Sequence, residues 1–374
     1  MTSRRRPRRA SLHICAAGVL SATFAMSATA FMAFRHPPVI PILPVSITAS
    51  TVAANGDTNP RGVAFVPMGF PSGGILSSGD VLISDSANKD GKAGLGVSIV
   101  RIQPNGEQTT FFQGNGVGLT AGLKVLRAGV VLVASLPTLD GTLATVQQGS
   151  LLVIDRNGSQ IAAIADPNLL AGPRELTVLD NGETALVFVS DVSSGSVTRL
   201  LLTITSTPTG QTVSASGLTR IASGYVHRVE PAAPVIGPSG LAYDPRHDTL
   251  FVASTGDDTI FRVVDAGKTM TDNGKGAVLF KDPLHLHQPL GLVFGPNGHL
   301  LATNSSAVSV GSNNASDIVE FTDHGRLVSQ QTVAPNTGGG LGLHFTRDET
   351  GVRRLAWLND GNTVTIVRFL PPDW

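Results

Sequence analysis

Apolar positions in this chain fall in short runs, and the runs are broken by Gly, Pro, Asn and Asp. Six runs open alike: NPRGVAF at 59–65, LTAGLKV at 119–125, GPRELTV at 172–178, GPSGLAY at 237–243, QPLGLVF at 288–294 and GGLGLHF at 339–345. Their aligned positions, Gly62, Gly122, Glu175, Gly240, Gly291 and Gly342, are 60, 53, 65, 51 and 51 residues apart. Each leads into a second run: DVLISD from 80, VVLVAS from 130, ALVFVSD from 185, TLFVAS from 249, HLLATN from 299 and RLAWLND from 354. A third follows at SIVRI from 98, SLLVID from 150, SVTRLL from 196, TIFRVV from 259, DIVEF from 317 and TVTIVRF from 363. Several units add a weaker fourth run, such as TTFFQ from 109 or AVLF from 277. Pro104-Asn105-Gly106, Asp180-Asn181-Gly182 and Pro296-Asn297-Gly298 stand among the intervening turns and supply the positive φ angles that hairpins need.

Four strands repeated about every 50 residues predict an all-β fold, a six-bladed β-propeller of four-stranded antiparallel blades. Blades buried on both faces explain why the second runs are continuously apolar instead of alternating. The small residue that opens most first strands suits the crowded axis. Val45 to Thr51 is strand-like and precedes blade 1, while blade 6 has no evident fourth strand after Phe369. The N-terminal strand is therefore expected to pair with Thr363 to Phe369 and close the ring.

Composition narrows the class further. Hydrophobic residues make up 41% of the 374, enough for a core, and 42 Gly with 23 Pro exclude a helical bundle. With 27 basic against 27 acidic residues and no basic stripe beyond the N-terminus, the chain has no electrostatic footprint for nucleic acid. A single cysteine, Cys15, permits neither an internal disulfide nor a cysteine zinc cage. Residues 1–9 carry five arginines, and nothing from Ala10 to Phe34 is charged, which predicts an export signal or N-terminal membrane anchor over 1–34. Arg8-Arg9-Ala10-Ser11-Leu12 resembles a twin-arginine motif, and Ala28-Thr29-Ala30 offers a small-x-small cleavage site. A Pro-rich spacer at 35–44 then leads to a propeller domain over 45–374, expected in the periplasm or outside the cell. The membrane is a partner only through an uncleaved N-terminus.

The phrase P-x-G-[LV]-A-[FY], followed by a hairpin, a strand ending in Asp, Ser or Asn, and I-x-R-[IV], resembles NHL-repeat propellers, whose relatives include gluconolactonase-type lactonases and streptogramin lyases. Blades 1, 4 and 5 match best, and the resemblance spans about 45–374. It implies a six-bladed fold. The lactonase relatives hold a divalent cation with Glu, Asn and Asp, several of them immediately before the strand-opening Gly. Here those positions are Arg61, Ala121, Arg174, Ser239, Leu290 and Leu341, none a carboxylate or amide. The lyase relatives use a His base with magnesium, and neither His285 nor His287 aligns clearly with it.

In an antiparallel blade, the loop into strand one and the loop joining strands two and three emerge on one face, around the channel mouth. This singles out Arg61, Asp85, Arg174, Asp191, His285, His287, Asn304 and Asp360 as candidate ligand-binding residues. Acidic and amide residues that end strands also commonly satisfy their own backbone. His285 and His287, at i and i+2, suit a chelate or a general base, or simply a solvated linker. No G-x-S-x-G or H-E-x-x-H motif occurs, so no catalytic residue is assigned, and no cofactor or metal is expected. The leading reading is an exported, non-catalytic binding module for a small ligand, an anion among the candidates, or for a protein partner. The alternative is a metal-assisted lactonase or lyase on the same scaffold.

Overall fold

In the computed structural model the described residues are 45–369, apart from 115, 208–209, 229–234, 305–315, 335–341, 348–350 and 360. The predicted export segment, the spacer, Leu341 and Asp360 lie outside them.

Six four-stranded antiparallel sheets follow one another along the chain. After β1 (Val45–Ser50), blade 1 contains β2 (Thr58–Phe65), β3 (Val81–Ala87), β4 (Ser98–Ile102) and β5 (Gln108–Gln113). Blade 2 has β6 (Leu123–Leu126), β7 (Val130–Ser135), β8 (Ser150–Asp155) and β9 (Gln160–Ile164), and blade 3 has β10 (Pro173–Asp180), β11 (Thr184–Asp191), β12 (Ser196–Thr207) and β13 (Gly210–Ala222). Blade 4 is β14 (Pro238–Asp244), β15 (Thr249–Ser254), β16 (Thr259–Val264) and β17 (Ala277–Phe280). Blade 5 is β18 (Leu292–Phe294), β19 (Leu300–Thr303), β20 (Ser316–Phe321) and β21 (Leu327–Ala334). Blade 6 combines β22 (Leu343–Arg347), β23 (Arg353–Asn359) and β24 (Thr363–Phe369) with β1, in the order β1-β24-β23-β22.

The first strands touch in sequence, β2 to β6 to β10 to β14 to β18 to β22, and β22 returns to β2. They line the axis of a closed six-bladed propeller. Closure works as the sequence predicts: β1 pairs antiparallel with β24, from Val45 opposite Val367 to Ser50 opposite Thr363. Among the described residues there is no α-helix, only a short 3-10 turn at Leu143–Thr145.

Apolar cores lie between the blades. The second strands are buried along their length, as in Val81–Ala87 and Val130–Ser135, because one face packs on the preceding blade and the other on the next. Thus Val81 and Ile83 join the cluster shared with Ala356, Leu358 and Val364 of blade 6, whereas Leu82 joins Leu123, Val131 and Val133 of blade 2. The glycines at the strand openings hold the first strands together. A Cβ on Gly62 would stand 2.2 Å from the Ala121 carbonyl oxygen, so any side chain there would force blades 1 and 2 apart.

Candidate functional site

Two β-bulges shape the mouth of the channel. The register of β2 on β3 slips between Pro60 and Gly62, and that of β10 on β11 slips between Pro173 and Glu175. The extra residues are Arg61 and Arg174, and a bulge redirects the side chain it carries. Both guanidinium-bearing residues line one cavity of about 30 Å³, together with Thr120, Glu175, Ser239 and Leu290. These six come from five blades, so the cavity lies on the axis.

The cavity is biased towards positive charge. Burial, then the neighbouring Arg61, pushes the Arg174 guanidinium down to about 9 from its usual 12.5, with Glu175 opposing. Two half-buried cations close enough to repel each other suit an anion. Among the described residues the Arg174 guanidinium makes one hydrogen bond, from Nη1 to the Val235 carbonyl at 3.1 Å, and Arg61 Nε reaches Ser86 Oγ at 3.4 Å. Glu175 Oε1 accepts from the Leu176 N–H at 3.0 Å and from Lys124 Nζ at 3.4 Å. His344, in the first strand of blade 6, accepts the Phe65 N–H on Nδ1 at 3.3 Å. Burial, then the charge of Lys124, holds its pKa well below 6.5. Ser239 Oγ donates to the Leu290 carbonyl at 2.9 Å and Thr120 Oγ1 to the Ala134 carbonyl at 3.3 Å, so both hydroxyls already have acceptors.

Of the eight residues singled out from the sequence, the cavity brings together Arg61 and Arg174. Asp191 closes a turn: Oδ2 accepts from the Gly172 N–H at 2.8 Å, and Oδ1 from the N–H groups of Ser193 and Ser194 at 3.0 and 2.9 Å. Asn304 clamps the segment before β18, accepting the His287 N–H at 3.0 Å and donating to the His285 carbonyl at 2.7 Å. His285 Nδ1 pairs with Asp282 at 2.8 Å across a local turn. Asp85 is fully buried on the side of blade 1 that meets blade 6, and Asp360 lies outside the described residues. Lys124, Glu175 and His344 were not singled out. Their signal is positional: Glu175 occupies an aligned glycine position, and Lys124 and His344 come two residues after Gly122 and Gly342, where β periodicity returns to the same face.

A divalent cation fits this mouth poorly. Calcium wants six to eight oxygens, whereas the lining offers one carboxylate, already beside a lysine, and two guanidinium groups. The described residues contain no group of three or more His, Cys, Asp or Glu placed to share an ion.

No protein-family model and no curated protein matches the sequence. The fold does match solved structures. A gluconolactonase from Xanthomonas campestris is 15% identical, with 87% of this chain and 98% of that one covered and a TM-score of 0.51. A putative gluconolactonase is 17% identical over 89% and 96%, with a TM-score of 0.52. Regucalcin from Agrobacterium tumefaciens, described as a calcium-binding protein, is 12% identical over 87% and 94%, with a TM-score of 0.50. At these identities the likeness is one of fold: a six-bladed propeller with lactonase-like structural neighbours.

Proposed function

We propose that the axial mouth is a site for a small oxyanion-bearing molecule, in which Arg61 and Arg174 grip a carboxylate or the carbonyl oxygen of an ester. The convergence of these two bulge residues on one partly desolvated cavity carries the reading. A guanidinium fork matches a carboxylate through two parallel hydrogen bonds, and removal from water strengthens each. Glu175, on the same wall, would orient hydroxyl groups of the ligand. On this reading the protein works outside the cytoplasm, and cell fractionation that finds the mature chain inside would refute that part.

A second reading, a lactonase or lyase, is favoured by the structural neighbours, which lend it more support than they lend a purely binding role. A lactone and its hydroxy-acid product are both oxyanion ligands, so one site serves both readings. In hydrolysis, Arg61 and Arg174 would polarise the carbonyl oxygen and Glu175 would accept a proton from the attacking water. The new carbon–oxygen bond then replaces the ring ester bond, and the ring oxygen leaves as a hydroxyl by taking that proton back from Glu175.

The test pairs calorimetric titration with gluconate and other small carboxylates with a pH-stat assay on gluconolactone, with and without chelator. Carboxylate binding without turnover, lost in Arg61→Ala with Arg174→Ala, supports the binding role. Turnover lost in the same variant supports the lactonase. A wild-type protein that neither binds nor hydrolyses, or a double variant that behaves as wild type, refutes the site.

A further inference from the structure

The residue that follows the partner of each strand-opening position is equivalent in all six blades: Asp85, Ser135, Asp191, Ser254, Asn304 and Asn359. Five of these side chains have polar partners. Ser135 donates to the Gly116 carbonyl, and Ser254 donates to Asp257 at 2.6 Å. Asp191 and Asn304 hold backbone groups as described, and Asn359 Oδ1 accepts from the Gly361 N–H at 3.1 Å and Thr363 Oγ1 at 2.7 Å. Asp85 differs: both carboxylate oxygens are buried without a hydrogen-bond partner.

The short turn after β11 presents its N–H groups to Asp191, whereas residues 88–97 after β3 form a long loop whose Gly94 and Gly96 N–H groups go to the Ser86 carbonyl instead. That loop lies flat over the strand end, so close that a Cβ on Gly96 would stand 2.1 Å from the Asp85 carbonyl oxygen.

Other oxygens gather at the same place. The register of β3 on β4 pairs Ile83 with Val100 and Ser84 with Ile99, so the next step sets Ser98 opposite Asp85 on the face towards blade 6. Ser98 Oγ is fully buried and also without a partner. Asp57, itself buried, accepts the Val97 N–H on Oδ2 at 2.8 Å. The Asp57 and Asp85 carboxyl groups lie close enough for their charges to interact. Among the described residues no ion pair reaches either aspartate.

Burial in a dry seam disfavours two ionised carboxylates side by side, and an unpartnered buried hydroxyl adds a desolvation cost. A hard cation relieves both, because it takes carboxylate and neutral oxygens together. We propose that the seam between blades 6 and 1 binds one hard divalent cation, with Asp85 and Asp57 as its anionic ligands and Ser98 Oγ as a neutral one. The ion would tie the turn that follows β1 to the end of β3 and so brace the point of ring closure. The site shares no residue with the axial cavity and does not depend on the function proposed there.

Chelator-treated protein should take up one calcium or magnesium ion per chain in equilibrium dialysis, and its melting temperature should rise with ion concentration by mass action. Asp85→Asn keeps the shape and removes an anionic ligand, so ion uptake should be at least tenfold weaker. Ser98→Ala should weaken uptake less, and Arg61→Ala with Arg174→Ala should leave it unchanged. Absence of stoichiometric uptake by the wild-type chain overturns the proposal, whatever the variants do. Uptake retained by Asp85→Asn, or lost with the two arginines, overturns it as well.

Discussion

Arg174 is expected to weaken the fold while it serves the site, and Arg174→Met separates the two effects. The fall of its guanidinium from 12.5 to about 9 corresponds to roughly 5 kcal/mol by which the folded state disfavours the charged form. Methionine fills similar space without charge. It forfeits the hydrogen bond to the Val235 carbonyl, about 1 kcal/mol. The balance favours the variant by at most ~4 kcal/mol. With solvent relaxation taking part of that, a rise in melting temperature on the order of 5 °C is expected for a domain of this size. Ligand binding should move the other way. A charge-assisted hydrogen bond to a carboxylate contributes about 1.5–3 kcal/mol, so affinity should fall roughly 10- to 150-fold. Differential scanning calorimetry without ligand, with carboxylate titration on the same samples, reads both. A variant that melts below wild type and binds carboxylates equally well would show that Arg174 is a strut for the Val235 segment, and would refute the reasoning.

Two further outcomes follow from the fold. Deleting β1, so that the chain starts at Val52, removes the pairing from Val45 to Ser50 and the packing of Ile47 and Ala49 against the seam core, so the melting temperature should drop by on the order of 10 °C; an unchanged curve would show that the strand is dispensable. His344 should give stability a pH dependence of one sign: with its pKa held below 6.5, the folded state binds fewer protons than the unfolded chain below that pH. Its contribution is complete above pH 6.5 and is lost on acidification by up to about 1.4 kcal/mol per pH unit, so His344→Gln should flatten the melting profile between pH 6.5 and 5, and an unaltered slope would exclude the histidine as its source.

The blades were legible because each is a local object. Its four strands follow in order, its turns carry Asn-Gly or Asp-Gly signals, and the N-terminal strand could be assigned by asking what completes blade 6. The hairpin of β12 and β13 was not legible. Its strands run to 12 and 13 residues, and in Ser196–Thr207 burial alternates beyond Leu200 where one face leaves the blade. The sequence pattern predicts only SVTRLL there, because polar Ser and Thr conceal a strand with little left to bury. At the site, Arg61 and Arg174 were visible as departures from a repeat, whereas Lys124 and His344 sit inside apolar runs that read as core. In the seam Asp85 was visible as a strand-end acid, whereas Asp57 and Ser98 were not, since they come from separate segments that become its neighbours only through β3–β4 pairing and the Val97 N–H donated to Asp57.

The antiparallel pairing of β1 with β24 also sets a clock on synthesis. Ser50 meets Thr363, a partner made 313 residues later. At roughly 5–20 residues per second, that interval lasts on the order of 15 to 60 s. Throughout it, five blades can assemble by local pairing while Ile47 and the open rim of β1 have nothing to pair with. The nascent chain is therefore most prone to swap strands with a neighbouring copy just before the ring shuts. A translation pause placed anywhere between the codons of β1 and β24 would lengthen that exposure by its own duration, whereas one placed before β1 would add nothing.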